Sequence, residues 1–351
     1  MKKIRVLIVE DSAVIRALLE YSIGRDPRLM VCGTAVTAEA GLQGLEFYKP
    51  DVIAMDIRLP GMDGLEATRQ IMSKRPIPIV VVAASVESRQ WNATAMEALR
   101  AGALTVLEKP VGTTNADYEL LAERLCTQLV IMSQVNLVRQ HSNGKSHFAN
   151  GRVPRAASTG PRGEFKALGI VSSTGGPAAL IQLLAALGPR FPLPVMLVQH
   201  MTASFVEGFA SWLGTVCPFP VKVVKDGCIP VAGQLHLAPA ERHLRFHGGQ
   251  LRLDTGDPIS FQRPSGTALF GSMAEDLRAD ALGVLLTGMG DDGAAGLLDI
   301  RRSGGYTIAE DESTAVVYGM PAAAVKMGAV CESLPLPAIG ARVLELVSGG
   351  K

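Results

Sequence analysis

The sequence predicts an α/β protein of two domains, each built on a mainly parallel sheet with helices on both faces. Three observations predict it. The chain has 351 residues, enough for about two domains at roughly 100–200 residues each. Short β-rich apolar runs alternate with helix-like stretches in two separate blocks, the pattern of strand–helix–strand units. Between the blocks the composition turns to Ser, Asn, Gly, Pro and Arg, as in a linker.

The first block spans residues 1–125. Its strands are IRVLIV, LMVCGTA, VIAMD, IPIVVVAA and ALTVLEK, and its helices are Ala13–Ile23, Ala38–Phe47, Gly64–Met72 and Ser88–Ala101. The start MKKIRVLIVEDS has the charge of a signal peptide, but its short apolar run meets Glu10 and Asp11 at once. It is therefore read as a buried strand. Residues 126–165 are the end of a helix and a flexible linker. Arg139, Lys145, Arg152, Arg155 and Arg162 stand there against one acid, Glu164. A solvated hinge is the plain reading and a basic docking arm the alternative.

The second block spans residues 166–351. Its strands are ALGIVSS, PVMLVQH, VKVV, QLHLA, LRLD, LGVLLTG, GYTIAE and GAVCESL. Its helices are Ala178–Ala186, Thr267–Leu277, Gly293–Arg302 and Pro337–Val347. Apolar residues make up 48% of the chain, enough for two cores, and the net charge is +1. That balance offers no whole-chain attraction to nucleic acid or an anionic membrane. No run approaches the ~18 apolar residues of a spanning helix, so no membrane insertion is expected. The five cysteines are scattered without metal spacing, which suits reduced thiols in the cytoplasm.

Two groups of residues carry chemistry. Ligands of a doubly wound sheet gather at the carboxyl ends of its strands. Glu10 and Asp11 end the first strand, Asp56 the third and Lys109 the fifth. Clustered carboxylates repel unless a cation joins them, and Mg²⁺ is the natural oxygen-seeking partner. A phosphoryl group on Asp56 would be held by that metal and by the Lys109 ammonium. Lys109-Pro110 also offers a site for a cis peptide.

The other group starts at GIVSSTGGPAAL, Gly169–Leu180, which reads as strand, turn and helix. Free N–H groups at a helix start suit an anion. The stretch lacks the Lys of a P-loop and is not Gly-x-Ser-x-Gly. A nucleophilic serine needs a base, and the base an orienting acid. PVMLVQH ends in His200, and LGVLLTGMGDDGAAG carries Asp291 and Asp292. If the three strands are parallel neighbours, Ser, His and Asp meet at one sheet edge. Ser172 and Ser173 remain rivals for the nucleophile.

The motifs VLIVEDSAVIR, DVIAMDIRLPGMDGLEAT and LEKP resemble a response-regulator receiver domain, a flavodoxin-like fold with a five-stranded parallel sheet. The resemblance implies phosphorylation of Asp56 by a chemotaxis-type histidine kinase. It implies Mg²⁺ at Glu10, Asp11 and Asp56, and Lys109 as switch lysine. Receivers usually carry Ser or Thr where this chain has Ala83, and an aromatic where it has Val106. The site that accepts phosphate is intact and the relay that reads it is weakened. Ser85 is the nearest substitute hydroxyl.

The motifs SSTGGP, QHM, LAP with RHL, TGMGDDGAAG, GGYTIAEDESTAVVYGMP and GAV with LPL resemble the catalytic domain of the chemotaxis protein-glutamate methylesterases. The resemblance implies hydrolysis of γ-glutamyl methyl esters on methyl-accepting chemoreceptors in a two-component system, and deamidation of certain glutamines. It places the nucleophile at Ser173, the base at His200 and the acid at Asp292. Met289 and Thr174 fall near the oxyanion hole, and no cofactor is implied for the esterase step. It further implies that the unphosphorylated receiver blocks the hydrolase cleft. Departures from the family pattern are Ser172 for Ala, Gly266-Thr267 for Val-Asp, Ala240 for Gly and Glu310 for Gln. Thr267 and Glu310 are expected to bear on the substrate. The alternatives are the same esterase in another chemosensory pathway, and a non-catalytic receptor-docking phosphate sink.

Overall fold

In the computed structural model, residues 2–83, 97–99, 101–109, 115–133, 164–201 and 203–348 are described. The chain divides into two compact units, Met1–Ser146 and His147–Lys351. Ser85, most of the helix expected at Ser88–Ala101, Pro110 and nearly all of the linker lie outside the described residues. Among the described residues, no helix is long and apolar enough to cross a membrane.

The first unit holds β1 (Ile4–Val9), β2 (Leu29–Ala35), β3 (Val52–Met55), β4 (Ile79–Ala83) and β5 (Thr105–Glu108) in one parallel sheet ordered β2-β1-β3-β4-β5. Its described helices are α1 (Ala13–Arg25), α2 (Ala38–Tyr48), α3 (Gly64–Lys74) and α4 (Asn115–Met132). The central strands β3 and β4 are buried along their whole length. They read as continuous apolar runs because helices cover both faces of such a sheet. The helices start where a side chain satisfies a free backbone N–H. Thr37 Oγ1 accepts from Ala40 N at 3.1 Å and Asp63 Oδ1 accepts from Glu66 N at 2.7 Å.

The second unit is a seven-stranded sheet ordered β14-β13-β12-β6-β7-β9-β8. Its strands are β6 (Ala167–Ser172), β7 (Val195–Gln199), β8 (Val221–Val223), β9 (Leu235–Leu237), β12 (Ala281–Leu285), β13 (Tyr306–Glu310) and β14 (Glu332–Leu334). Every pairing in it is parallel. A separate antiparallel hairpin joins β10 (His243–His247) to β11 (Gln250–Asp254). The helices are α5 (Gly176–Leu187), α6 (Ala203–Val216), α7 (Gly266–Leu277), α8 (Ala294–Arg302), α9 (Met320–Lys326) and α10 (Leu336–Ser348). The hairpin is fastened to α7 where Phe246 N donates to Ser272 Oγ at 2.9 Å.

The fold agrees with the class read from the sequence, and three elements were not anticipated: α6, α9 and β10. In β10, His243-Leu-Arg-Phe-His alternates correctly, but its polar members mask a half-buried strand. The run ASFVEGFASWLGTV of α6 carries two glycines, which weaken its helical signature.

Topology decides where ligands can sit. In the second sheet the chain leaves β6 to one side toward β7 and returns on the other side at β12. That reversal opens a crevice at the carboxyl ends of β6 and β12, the usual binding place of an open α/β sheet. The first sheet reverses in the same way between β1 and β3.

Candidate active site

Ser173 directly follows β6, at the switch point of the second sheet, and is half-buried. Its N–H donates to Thr287 O at 3.0 Å, which ties the turn to the end of β12. Gly288 lies against it, since a Cβ there would come within 2.7 Å of Ser173 Cβ. The next peptide N–H belongs to Met289. Gly288 O accepts from Gly319 N at 3.1 Å and Met320 N at 2.8 Å. In a trans peptide the Met289 N–H therefore points away from that loop. The Met289 side chain is half exposed. Thr174 is half-buried, and its carbonyl accepts from Thr287 Oγ1 at 2.8 Å.

The two serines differ in their surroundings. Ser172 is fully buried, and its hydroxyl donates to Gln199 Oε1 at 2.6 Å. It already spends its proton on a strand-to-strand bond. Ser173 is the serine of the turn with access to solvent.

His200 directly follows β7, and its N–H donates to Ser172 O at 3.0 Å. Its Nε2 lies 2.8 Å from Asp292 Oδ2. Asp292 is almost fully buried at the start of α8, while Asp291 beside it is exposed. Three more donors surround the Asp292 carboxylate: Ser265 Oγ at 2.6 Å, Gly266 N at 2.6 Å and Thr267 N at 3.1 Å. Burial alone would raise its pKa. The bonds from His200, Ser265 and Gly266 outweigh burial and hold it below the ordinary carboxylate value. An ionised Asp292 accepts, so His200 Nε2 carries a hydrogen toward it, and in the neutral ring the lone pair is then on Nδ1. Nδ1 is buried and has no hydrogen-bond partner among the described residues. The arrangement offers a free base beside a serine turn, with the tautomer set by a caged carboxylate.

Ser265 and Gly266 were not anticipated as neighbours of Asp292. They lie 27 and 26 residues upstream of it, and only the α7–α8 packing brings them together. Thr267 was expected to bear on the substrate. Its N–H meets Asp292, and its Oγ1 accepts from Gly293 N at 2.8 Å. Glu310 was expected in a site-lining segment. It is fully buried behind Thr287, and its Oε2 accepts from Thr287 N at 2.9 Å.

Burial pushes the Glu310 carboxyl up to about 6, with Asp311 adding to the rise and the bonds from Thr287 and Thr314 opposing it. The sign follows from linkage. The folded state holds this proton more tightly than the unfolded chain, whose ordinary value is 4.5. The destabilisation is absent below pH 4.5 and complete above about pH 6. It amounts to about 2 kcal/mol. Glu310→Gln removes the charge. The melting temperature of the variant relative to the parent should therefore rise by about 4–8 °C between pH 4 and pH 8. A gap that stays constant with pH contradicts this account.

The first unit holds a second polar centre. Glu10, Asp11 and Asp56 each offer a carboxylate oxygen, all within 4.8 Å of one another. Lys109 Nζ lies 2.8 Å from Glu10 Oε2 and 3.0 Å from Asp56 Oδ2. Asp56 Oδ1 accepts from Ile57 N at 2.8 Å. Burial leads in raising Glu10 above its ordinary pKa, with Asp56 adding to it. Burial also acts to lower Lys109, but the bonds from Glu10 and Asp56 raise it overall. Three hard oxygen donors at this spacing suit a small divalent cation. Ala83 is buried in β4 and offers no hydroxyl, and its carbonyl accepts from Lys109 N at 2.9 Å. Val106 is half-buried in β5.

Residues 6–118 match the response regulator receiver domain and residues 168–343 match the CheB methylesterase domain. The chain is 54% identical to protein-glutamate methylesterase/protein-glutamine glutaminase 2 of Paramagnetospirillum magneticum, over all of this chain and 99% of that one. This chain belongs to the CheB methylesterase family. A Myxococcus xanthus member, protein-glutamate methylesterase/protein-glutamine glutaminase 4, is 40% identical over 99% of this chain and 98% of its own. The catalytic domain of Thermotoga maritima CheB methylesterase superposes on 52% of this chain and 99% of its own. The TM-score is 0.50 and the identity 35%. Both constellations thus fall inside domains that the CheB methylesterase family joins in one chain, in the same order.

Proposed function

We propose that this chain is a protein-glutamate methylesterase with accompanying glutaminase activity, working in the cytoplasm on methyl-accepting chemoreceptors. The His200–Asp292 pair beside the half-buried Ser173, at the topological switch point, carries the reading. Relatives named for the same two activities support it along the whole chain. We place the receiver at residues 1–125, the end of α4 and the flexible linker at 126–165, and the esterase at 166–351.

His200 Nδ1 takes the Ser173 proton as Oγ attacks the γ-carbonyl carbon of a methylated glutamate. Asp292 stabilises the imidazolium that forms and keeps the ring in place. The backbone N–H of Met289, with the Thr174 turn and the start of α5, faces the oxyanion. One such donor is worth roughly 10²–10³ in rate. The imidazolium then protonates the leaving oxygen and methanol departs. Water, deprotonated by His200, splits the γ-glutamyl-serine ester and frees Ser173. A glutamine follows the same path with ammonia as leaving group. Each turnover leaves a carboxylate on the receptor.

In the receiver, Asp56 accepts a phosphoryl group from a chemotaxis-type histidine kinase. Glu10, Asp11 and Asp56 would hold Mg²⁺, which neutralises phosphoryl charge when bound. Lys109 is free to turn from the two carboxylates to a phosphoryl oxygen. Phosphorylation shifts the population toward an active arrangement of the chain.

The test uses the full chain and membranes carrying methyl-labelled receptors. Labelled methanol should appear, faster with a small-molecule phosphodonor, and Asp56→Asn should abolish the acceleration while sparing the basal rate. No methanol under either condition overturns the esterase reading. Equal rates with and without phosphodonor overturn the regulatory one and fit the missing hydroxyl at Ala83.

A further inference from the structure

One buried amide joins the backbones of the nucleophile and the base. Gln199 ends β7 and is almost fully buried. Its Nε2 donates to Ser173 O at 2.9 Å and to His200 O at 3.0 Å. Both partners are carbonyls and can only accept, so the NH₂ end must face them. The Oε1 end is left to Ser172, whose hydroxyl donates to it at 2.6 Å. The pair is closely enclosed. A Cβ on Gly176 would come within 2.2 Å of Gln199 Oε1 and 2.9 Å of Ser172 Oγ. A reversed amide would set Oε1 against two carbonyl oxygens and leave its N–H groups facing the Ser172 oxygen. The two carbonyls oppose that reversal, and the Ser172 hydroxyl, which can donate or accept, anchors the Oε1 end.

We propose that Gln199 is a positioning residue that holds Ser173 and His200 in register, and that Ser172 anchors the far end of its amide. The proposal rests on Ser173 and His200 being nucleophile and base, as read above. It assigns a purpose to the strand-end serine that is not the nucleophile. Small displacements of a reacting pair lower rate steeply, so loss of the clamp should appear in chemistry and not in binding.

The test measures covalent labelling of the full chain by a fluorophosphonate probe. Ser173 Oγ bonds to phosphorus, fluoride leaves, and the serine proton passes to His200. This reaction needs no receptor. If the parent labels at Ser173 yet releases no methanol from receptors, the proposed substrate fails while the present inference is still decided. Gln199→Glu keeps the size but cannot donate to both carbonyls, to neither when ionised and to one when protonated, and its maximal labelling rate should fall at least about tenfold. Ser172→Ala should lose about fivefold, the value of one hydrogen bond. The half-saturating probe concentration should not change. In the double variant, Ser172→Ala should cause no further loss, because its effect runs through the Gln199 amide. The proposal is overturned if either folded single variant labels within twofold of the parent. It is overturned equally if the losses multiply in the double variant, or if they fall on half-saturation. Should Gln199→Glu fail to melt cooperatively, the rate of Ser172→Ala alone decides.

Discussion

Ser173→Ala is expected to abolish methanol release from labelled receptors, a loss of at least about 10⁵-fold, with no change in melting temperature beyond about 2 °C. The side chain is half-buried and its N–H bond to Thr287 O belongs to the backbone, so alanine removes the nucleophile and little else. Ser172→Ala should retain turnover to within about tenfold. It deletes one buried hydrogen bond to Gln199 Oε1 and leaves the oxygen that attacks the ester in place. The two substitutions are chemically identical on adjacent residues, so their contrast isolates the role of the oxygen. Reversed outcomes would make Ser172 the nucleophile and would require the β6 end to turn its buried hydroxyl outward. Equal, moderate losses would deny a serine nucleophile altogether. Glu310→Gln offers no such discrimination, because that side chain acts behind Thr287 and outside the reacting set.

The resemblance placed the nucleophile at Ser173, but the strand–turn–helix pattern alone left Ser172 as its rival, and that has a physical answer. Adjacent residues at a strand end face opposite ways, and which of them meets the crevice depends on which face α5 and the neighbouring strands cover. That information is tertiary. The strands themselves were legible, because β3, β4, β6, β7 and β12 are buried along their length and read as unbroken apolar runs. Their chemistry-bearing ends were legible for the same reason, since a polar residue that closes an apolar run stands out. Glu10, Asp56, His200 and the Asp291-Asp292 pair all declare themselves that way. The supporting groups do not. Ser265 and Gly266 open α7 and look like an ordinary helix start, with Ser265 its N-cap, accepting from Ala268 N at 3.3 Å. Gln199 looks like one more strand residue until its three bonds are traced. Glu310 departs from the family pattern, and its polarity pointed to the substrate, but the structure puts it out of a substrate's reach. Sequence patterns thus carried the reacting side chains, while the groups that aim them emerged only from packing between elements distant in the chain.

The second large effect is expected from Asp292→Asn. Oδ2 receives His200 Nε2 and Gly266 N, and Oδ1 receives Ser265 Oγ and Thr267 N. An asparagine must set its NH₂ at one of these two places. Placed toward His200, it meets the Gly266 N–H and requires His200 Nε2 to become an acceptor. The ring proton then moves to Nδ1, the nitrogen that must receive the Ser173 proton, and the base is lost. Placed toward Ser265, it can be accommodated only in part. The hydroxyl can rotate and accept, but the Thr267 N–H cannot. The tautomer then survives, while the imidazolium that forms on attack loses the negative charge 2.8 Å away. Either placement impairs the same step, so turnover should fall on the order of 10⁴-fold, as when the acid of such a triad becomes an amide. The losses should sit in kcat, with the KM for receptor unchanged within about threefold, because Asp292 is buried and touches no substrate. Either placement also costs stability, since one backbone N–H, of Gly266 or of Thr267, then faces the amide NH₂. A backbone N–H left facing an amide N–H costs roughly 1–3 kcal/mol, which lowers the melting temperature by about 2–12 °C in a unit of this size. Ser265→Ala in the Asp292→Asn background completes the argument. If the NH₂ points to Ser265, the second substitution removes its acceptor and the melting temperature falls further. If it points to His200, Ser265 remains a donor to the amide oxygen and the second loss equals that of Ser265→Ala in the parent. A variant retaining more than about a tenth of parental kcat would remove Asp292 from the mechanism.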